Sequence, residues 1–422
     1  MKKLFNTRSS CRLCGGKNFE LVVPIGESPV SEKYLTKDNV SEKQLKVPLD
    51  LYFCLDCTHV QLLAVVEPVF LWSDFTFRTA NNPELVNHFN DLVQRILRFK
   101  TIKKNDLIID IGSNDGTLLK CFKDCGFTNV LGIDPADEIA SEAVRNGVDT
   151  IIAFMNEQTA EKVANLKGKA SIVTANNVFA HADDLIEMTN AIKKILSKDG
   201  VFIFEVSYLL DVVEKMLLGT IFHEHLCYHS VKSMNSFLFC QGLELIHVER
   251  GPEQGGSLVG YAQFYKGPKK IQNSVSNLLK LESDKKLDSP ETIRGMYTEL
   301  ESIKTNLKTL VSNIREKGES IAGFGAARAG TTLLSYYEIG DKLDFLVDDN
   351  EEKHFKFSPG DKIAVFPTSE IYERNPDYLI ILAWLHSDKI IKNHYKYLKK
   401  GGTFLKIHPK IEIININSFS KP

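Results

Sequence analysis

The sequence predicts an α/β protein of three successive units: a cysteine-built ribbon, a doubly wound parallel sheet, and a smaller α/β unit. Three observations lead there. Two C-x-x-C pairs stand near the amino terminus, Cys11 with Cys14 and Cys54 with Cys57. Short apolar runs between Leu107 and Val206 are separated by amphipathic stretches, the pattern of strands joined by crossover helices. Two glycine loops each follow an apolar run, D-I-G-S-N-D-G at Asp110 to Gly116 and G-F-G-A-A-R-A-G at Gly323 to Gly330.

The ribbon follows from ligand geometry. A C-x-x-C turn points two thiolates at one centre, and Zn²⁺ in a structural role prefers four such ligands. Glu20 to Pro24 and Pro48 to Tyr52 read as strands beside the knuckles. The expectation is a structural zinc on Cys11, Cys14, Cys54 and Cys57 that contributes to folding and takes no part in chemistry. Cys121, Cys125, Cys227 and Cys240 lack framework spacing and are expected as free thiols of a reducing compartment.

Composition narrows the class. A chain of 422 residues, 43% hydrophobic and 25% charged, is long enough for two or three globular domains. The formal charge of −2 offers no concentrated basic face for nucleic acid. Lys2 and Lys3 precede no apolar core of signal length, and no window approaches the roughly 20 apolar residues of a membrane span. A cytoplasmic enzyme without nucleic-acid or membrane partners is expected. The sequence does not indicate an oligomeric state.

Along the chain, Pro83 to Phe99 has helical apolar spacing with proline in its first turn. The runs Leu107 to Asp110, Val130 to Ile133, Thr150 to Ala153, Ser171 to Ala175 and Val201 to Val206 read as the parallel strands, and Asp184 to Leu196 as one of the helices. Leu243 to Arg250 and Leu258 to Phe264 bracket G-P-E-Q-G-G-S, an antiparallel hairpin that marks a class I methyltransferase sheet rather than an ordinary dinucleotide sheet. Lys280 to Glu319 reads as one long linker helix. The last, Rossmann-like unit has strands at Leu343 to Val347 and Tyr378 to Ala383. Domain limits are expected at 1–74, 75–280 and 281–422.

The first loop points to a cofactor. Gly112 permits the sharp turn after Asp110, and Gly116 opens the next helix. Asp134, at the tip of the second strand, is placed to accept hydrogen bonds from ribose hydroxyls. The spacing differs from G-x-G-x-x-G, and Asp115 within it would repel a phosphate, so S-adenosylmethionine fits better than NAD. Asn114 lies in this loop, and Asn176 and Asn177 end the fourth strand at the carboxyl edge where ligands dock.

His181 follows on that edge, either to position substrate or to cap the helix that starts at Asp183-Asp184. I-F-H-E-H-L-C-Y-H, Ile221 to His229, is the densest cluster of chemistry-bearing side chains. A metalloprotease helix would need histidine at position 227, where the chain has Cys227. General acid and base chemistry is the leading reading. A second metal site on His225 and His229, or a structural polar loop, are the alternatives.

In this order, the paired cysteines, D-I-G-S-N-D-G, His223-Glu224-His225, G-G-S-L at Gly255 to Leu258 and G-F-G-A-A-R-A-G resemble the nucleotide-sugar 3-C-methyltransferases of deoxysugar biosynthesis over essentially the whole chain. The resemblance implies methylation of carbon 3 of a dTDP-4-keto-6-deoxyhexose, with zinc in the first domain, S-adenosylmethionine in the second and the nucleotide sugar between the second and third. It implies His225 as the base, Glu224 to orient or hold the sugar, and His223 or His181 at the developing enolate. Arg328 stands where the family has lysine, with a fork suited to a diphosphate.

Two departures touch the substrate side. The family's tyrosine before H-E-H is Phe222, and its aromatic pair before the core domain reads Phe75 and Phe77. Tyr228, a histidine or water then donates to the enolate, or the substrate differs from the commonest one. A sugar O-methyltransferase, an NAD-linked nucleotide-sugar oxidoreductase on the second loop, and a non-enzymatic ribbon scaffold are the competing readings.

Overall fold

The computed structural model describes residues 4–72 and 77–419. Its centre is a seven-stranded sheet, in spatial order Thr150–Ile152, Val130–Asp134, Ile108–Ile111, Ala170–Asn176, Leu196–Ser207, Ser257–Phe264 and Leu243–Gly251. The first five are parallel, and Ser257–Phe264 runs antiparallel to both its neighbours. This is the expected hairpin ending. Strand direction reverses at the sheet's end because the hairpin, unlike a crossover helix, returns the chain after a short turn. Ile108 and Ile111 are buried on opposite faces, as a strand covered on both sides requires.

The helix over Pro83–Phe99 forms as expected, with the Asn82 side chain accepting from the Glu84 and Leu85 amides. It lays Phe89, Leu92, Val93 and Ile96 on one face of the sheet. Leu185–Ile195 is capped by Asp184, which accepts from the Glu187 amide at 2.9 Å, so His181 is not its cap.

The amino-terminal ribbon is an antiparallel sheet of Phe19–Val23, Leu51–Cys54 and Val60–Leu62, extended by Cys227–Tyr228 from the far end of the histidine cluster. The strand expected over Pro48 to Tyr52 is divided. Lys46–Pro48 pairs with Glu27–Pro29, and Leu51–Cys54 starts the next ladder, because Pro48 has no N–H to continue one.

The last sheet orders Val365–Pro367, Phe345–Asp348, Ile321–Phe324, Tyr378–Ile381 and Thr403–Lys406 in parallel, with Glu412–Ile414 antiparallel at its edge. The expected single linker helix is two, Asn273–Asp284 and Pro290–Glu316, separated by a turn in which Lys286 takes φ 52°. Pro290 occupies the first turn of the second, where its missing N–H costs nothing. Leu300, Leu307, Val311 and Ile314 are buried, so this helix is packed core and not a solvated connector. The boundary expected between 74 and 75 lies outside the described residues.

Candidate active site

The four ribbon cysteines converge. Cys11 and Cys57 sulfurs are 3.6 Å apart, as are those of Cys14 and Cys54, and all four lie within 4.8 Å of one another. Bonds of about 2.3 Å to a tetrahedral zinc place sulfurs at close to this separation, so the residues fit the metal. The Gln61 amide donates to Cys11 Sγ at 3.1 Å. The other thiols stand apart, with no disulfide.

At the carboxyl edge of the central sheet, Gly112 takes φ 68°, and a Cβ there would lie 2.2 Å from Val178 Cγ2. Asp134 accepts from the amides of Asn114 and Ala136, each at 2.8 Å, which orients its carboxylate beside the turn. Asp110 is buried and accepts from Thr174 at 2.6 Å; burial pushes its carboxyl up to about 7. Asn176, 9% exposed, has both side-chain polar atoms without a partner. An orphaned amide at the point where strand order reverses suits a polar ligand. Gly116 starts the following helix at φ 80°, and Asn177 sits at φ 54°. Asn114 differs from expectation. Its side chain accepts from the Thr79 amide at 2.9 Å and donates to the Phe77 carbonyl, so it anchors the segment before the core helix and offers only its backbone to the turn.

The histidine cluster separates into two sides. His225 Nδ1 lies 2.8 Å from the Thr220 carbonyl, which assigns the proton to Nδ1 and leaves Nε2 as an acceptor. Burial pulls this imidazole down to about 4, with the Arg328 charge in the same direction, so it is neutral near pH 7. His181 packs 5.0 Å from it, ring centre to ring centre, with its own Nε2 unpartnered. Phe222 lies over the other side of His225 at 4.0 Å. Glu224, 4% exposed, accepts from Arg328 Nε at 3.1 Å and from Ser31 at 3.2 Å. Glu224 therefore links the loop after Glu27–Pro29 to the start of the helix after Ile321–Phe324.

His223 and Tyr228 turn away. His223 Nε2 bonds the Val47 carbonyl at 3.0 Å, inside the ribbon. Tyr228 is fully buried, with its hydroxyl 3.5 Å from the Thr220 carbonyl that also accepts from His225. His229 stacks on His59 at 5.2 Å, and among the described residues neither His225 nor His229 belongs to a cluster of three metal-ligating groups. Phe77 is exposed, and Phe75 lies outside the described residues.

The second glycine loop is occupied by protein. The Ala326 carbonyl accepts from the Tyr34 hydroxyl and from Lys353 at 2.8 Å, while its amide donates to Asp348 at 2.6 Å. At the same edge, Glu84, Trp384, His386, Lys389, Lys406 and His408 line a cavity of about 380 Å³. His408, 2% exposed, has neither ring nitrogen partnered, and Trp384 Nε1 is likewise unpartnered.

Sequence reasoning missed Ser31, Trp72, Thr220 and the Trp384–His408 pair. Trp72 stacks on His181 at 5.4 Å. Trp384 and His408 directly follow parallel strands, and that position is the signal that could have found them. A backbone carbonyl such as that of Thr220 leaves no trace in sequence.

Three family models match in series: a zinc binding domain over residues 11–71, a methyltransferase domain over 85–248, and a C-methyltransferase C-terminal domain over 252–409. C-methyltransferase NovU of Streptomyces niveus is 29% identical over 419 residues, 99% of this chain and 100% of NovU. The chain is an S-adenosylmethionine-dependent C-methyltransferase, homologous to NovU. Its cofactors are S-adenosylmethionine and a zinc ion. The ribosomal protein L11 methyltransferase of Lactobacillus acidophilus is 32% identical over 112 residues, 26% of this chain and 35% of that protein. The crystal structure of magnesium protoporphyrin IX methyltransferase from Synechocystis PCC 6803 superposes with TM-score 0.33 and 15% identity, over 45% of this chain and 86% of that one. The O-methyltransferase and NAD readings are not favoured by these relationships. Among the described residues, no helix is long and apolar enough to cross a membrane.

Proposed function

We propose that this C-methyltransferase alkylates C3 of a dTDP-4-keto-6-deoxy sugar after base-catalysed enolate formation, with His225 as the base. The observation that carries the reading is the His225 ring, neutral, with its proton held at Nδ1 by Thr220 and its lone pair at Nε2, beside His181. A hydrogen next to a ketone becomes removable when a positioned base faces it and the enolate oxygen meets a donor or a positive charge. His181 and the Arg328 guanidinium supply those groups. Arg328 pairs with Glu224, the residue before His225, and its charge, after burial, disfavours protonation of both imidazoles. S-adenosylmethionine, when bound, supplies an electrophilic methyl group.

Glu224, fixed by Ser31 and Arg328, orients the sugar hydroxyls, and the positive charge of Arg328 favours the diphosphate on that side. Phe222 covers His225 and excludes water from it, while offering no phenol to the enolate. The nucleotide end lies toward the Trp384–His408 cavity, between Glu84 of the core helix and the carboxyl edge of the last sheet. An indole, imidazoles and two lysines suit a nucleoside diphosphate. The domain division at 74/75 and 280/281 belongs to the same reading.

The test is incubation with methyl-labelled S-adenosylmethionine and dTDP-4-keto-6-deoxyglucose. Label on C3 supports the reading. Label on oxygen, or no label on any dTDP-keto sugar, overturns it.

A further inference from the structure

The ribbon is bonded directly to the segments that carry His181 and His225. Arg12, inside the first knuckle between Cys11 and Cys14, has a side chain that is 0% exposed. Its guanidinium donates to Asp183 at 3.1 Å, to Gln61 Oε1 at 3.1 Å and to the Leu62 carbonyl. Gln61 in turn donates to Cys11 Sγ. Arg8 adds a second ion pair to Asp183 at 3.1 Å and a hydrogen bond to its carbonyl.

Asp183 stands two residues after His181, at the end of the turn that presents that imidazole. The same turn is held at Ala180, whose carbonyl accepts from the Leu226 and Cys227 amides at 3.0 and 3.1 Å. Cys227 pairs with Gln61 across the ribbon sheet. The His181 ring itself lies between Trp72, which follows the ribbon strands, and His225. Ribbon residues therefore fix the turn at Asp183, the ring face through Trp72, and the segment that carries His225.

We infer that the first zinc knuckle positions His181 for methyl transfer, with Arg12 as the positioning residue and Asp183 as the group it acts through. The physical basis is rigidity. A thiolate-ligated knuckle has a fixed backbone, so the buried Arg12 guanidinium projects from a fixed base and holds Asp183 Oδ1 with Nε at 3.1 Å and Nη2 at 3.0 Å. Free of that guanidinium, the turn would keep its fold through Ala180, and the ring would lose its alignment with His225. Misplacement by about 1 Å is enough to cost about a hundredfold in rate.

This inference rests on the reading of His181 as part of the reaction site, and the experiment separates the two. Arg12→Lys and Asp183→Asn are each compared with the wild-type, zinc-loaded full chain. Five quantities are measured: zinc content, S-adenosylmethionine affinity, the ¹³C–¹H imidazole resonance of His181, and kcat and KM for methyl transfer. Asp183 is 38% exposed, so the second variant keeps the fold if the first does not. The expected result is one zinc per chain, cofactor affinity within about twofold, a shifted His181 resonance, and kcat lowered about tenfold to a hundredfold with KM little changed. The double variant should be no worse than the more impaired single one, since both residues act on one path. An unshifted His181 resonance in Asp183→Asn, unchanged kcat, or additive losses would overturn the inference. A wild-type enzyme inactive on the dTDP-keto sugar would overturn the substrate reading alone, and the resonance would still decide the positioning role.

Discussion

Arg328 Nε and Glu224 Oε1 lie 3.1 Å apart across 104 residues of sequence, and this pair ties the last α/β unit to the histidine-rich loop of the central one. Glu224 also accepts from Ser31, so one carboxylate receives donors from two distant parts of the chain. Glu224→Gln keeps the shape and removes the charge. It should lower kcat/KM for the nucleotide sugar about a hundredfold while leaving cofactor affinity intact, as steady-state kinetics beside calorimetry would read. Equal loss of cofactor binding would count against a substrate-side role.

His225 carries the sharper expectation. His225→Ala should reduce turnover by about 10²–10⁴-fold, the range a general base supplies. Because burial lowers this imidazole to about 4, the base is already unprotonated at neutrality. The kcat/KM profile of the free enzyme should be flat between about pH 6 and pH 8 and fall only as pH drops toward about 4. A limb near pH 6.5 in the wild type that vanishes in His225→Ala would contradict this environment.

Gly112→Ala should abolish cofactor binding with little loss of fold. The position takes φ 68°, where L side chains are strained, and the new methyl would meet Val178 Cγ2 at 2.2 Å on the ligand edge of the sheet. Titration calorimetry with S-adenosylhomocysteine checks it, with circular dichroism as the control for folding.

His88 lies between two carboxylates, its Nε2 2.7 Å from Glu205 and its Nδ1 2.8 Å from Glu253, and those partners raise its pKa against the opposing effect of burial. Two acceptors on opposite ring nitrogens call for an imidazolium. A raised folded-state pKa means that the folded chain binds the proton more tightly than the unfolded chain. The resulting stability is fully present below about pH 6.5 and is lost as pH rises through the folded value. The Tm advantage of wild type over His88→Gln should therefore shrink as pH rises above neutrality, as scanning calorimetry at several pH values would record. A constant gap would contradict the charged assignment.

Removal of zinc by a chelator should expose four thiols per chain and lower Tm, since the Cys11, Cys14, Cys54 and Cys57 sulfurs are otherwise held together only by weak thiol contacts. Thiol titration alongside metal release measures it. Reactivity of all four thiols without chelator in a zinc-loaded sample would exclude the cluster as the site.

Much of the architecture was written locally. Pro83–Phe99, the alternating strands and the closing hairpin declare themselves through period, proline placement and turn residues, because each element buries its own stripe. The break at Pro290 was legible too, yet the charged periodicity on both sides masked it. In the site, the residue types of Glu224, His225 and the four cysteines were readable as chemistry. Their partners were not.

The sequence by itself determined the ribbon cysteines, the sharp turn at Gly112, and the segment that gathers the histidines, since short-range spacing and backbone conformation define all three. Only the tertiary structure decided that His223 and Tyr228 face inward, that Asn114 serves the preceding segment, and that Arg12, Ser31 and Arg328 converge on the loops around His181 and His225. The reason is physical. Which way a polar side chain turns depends on which donor or acceptor folding brings within about 3 Å, and residue type and spacing carry no record of that encounter.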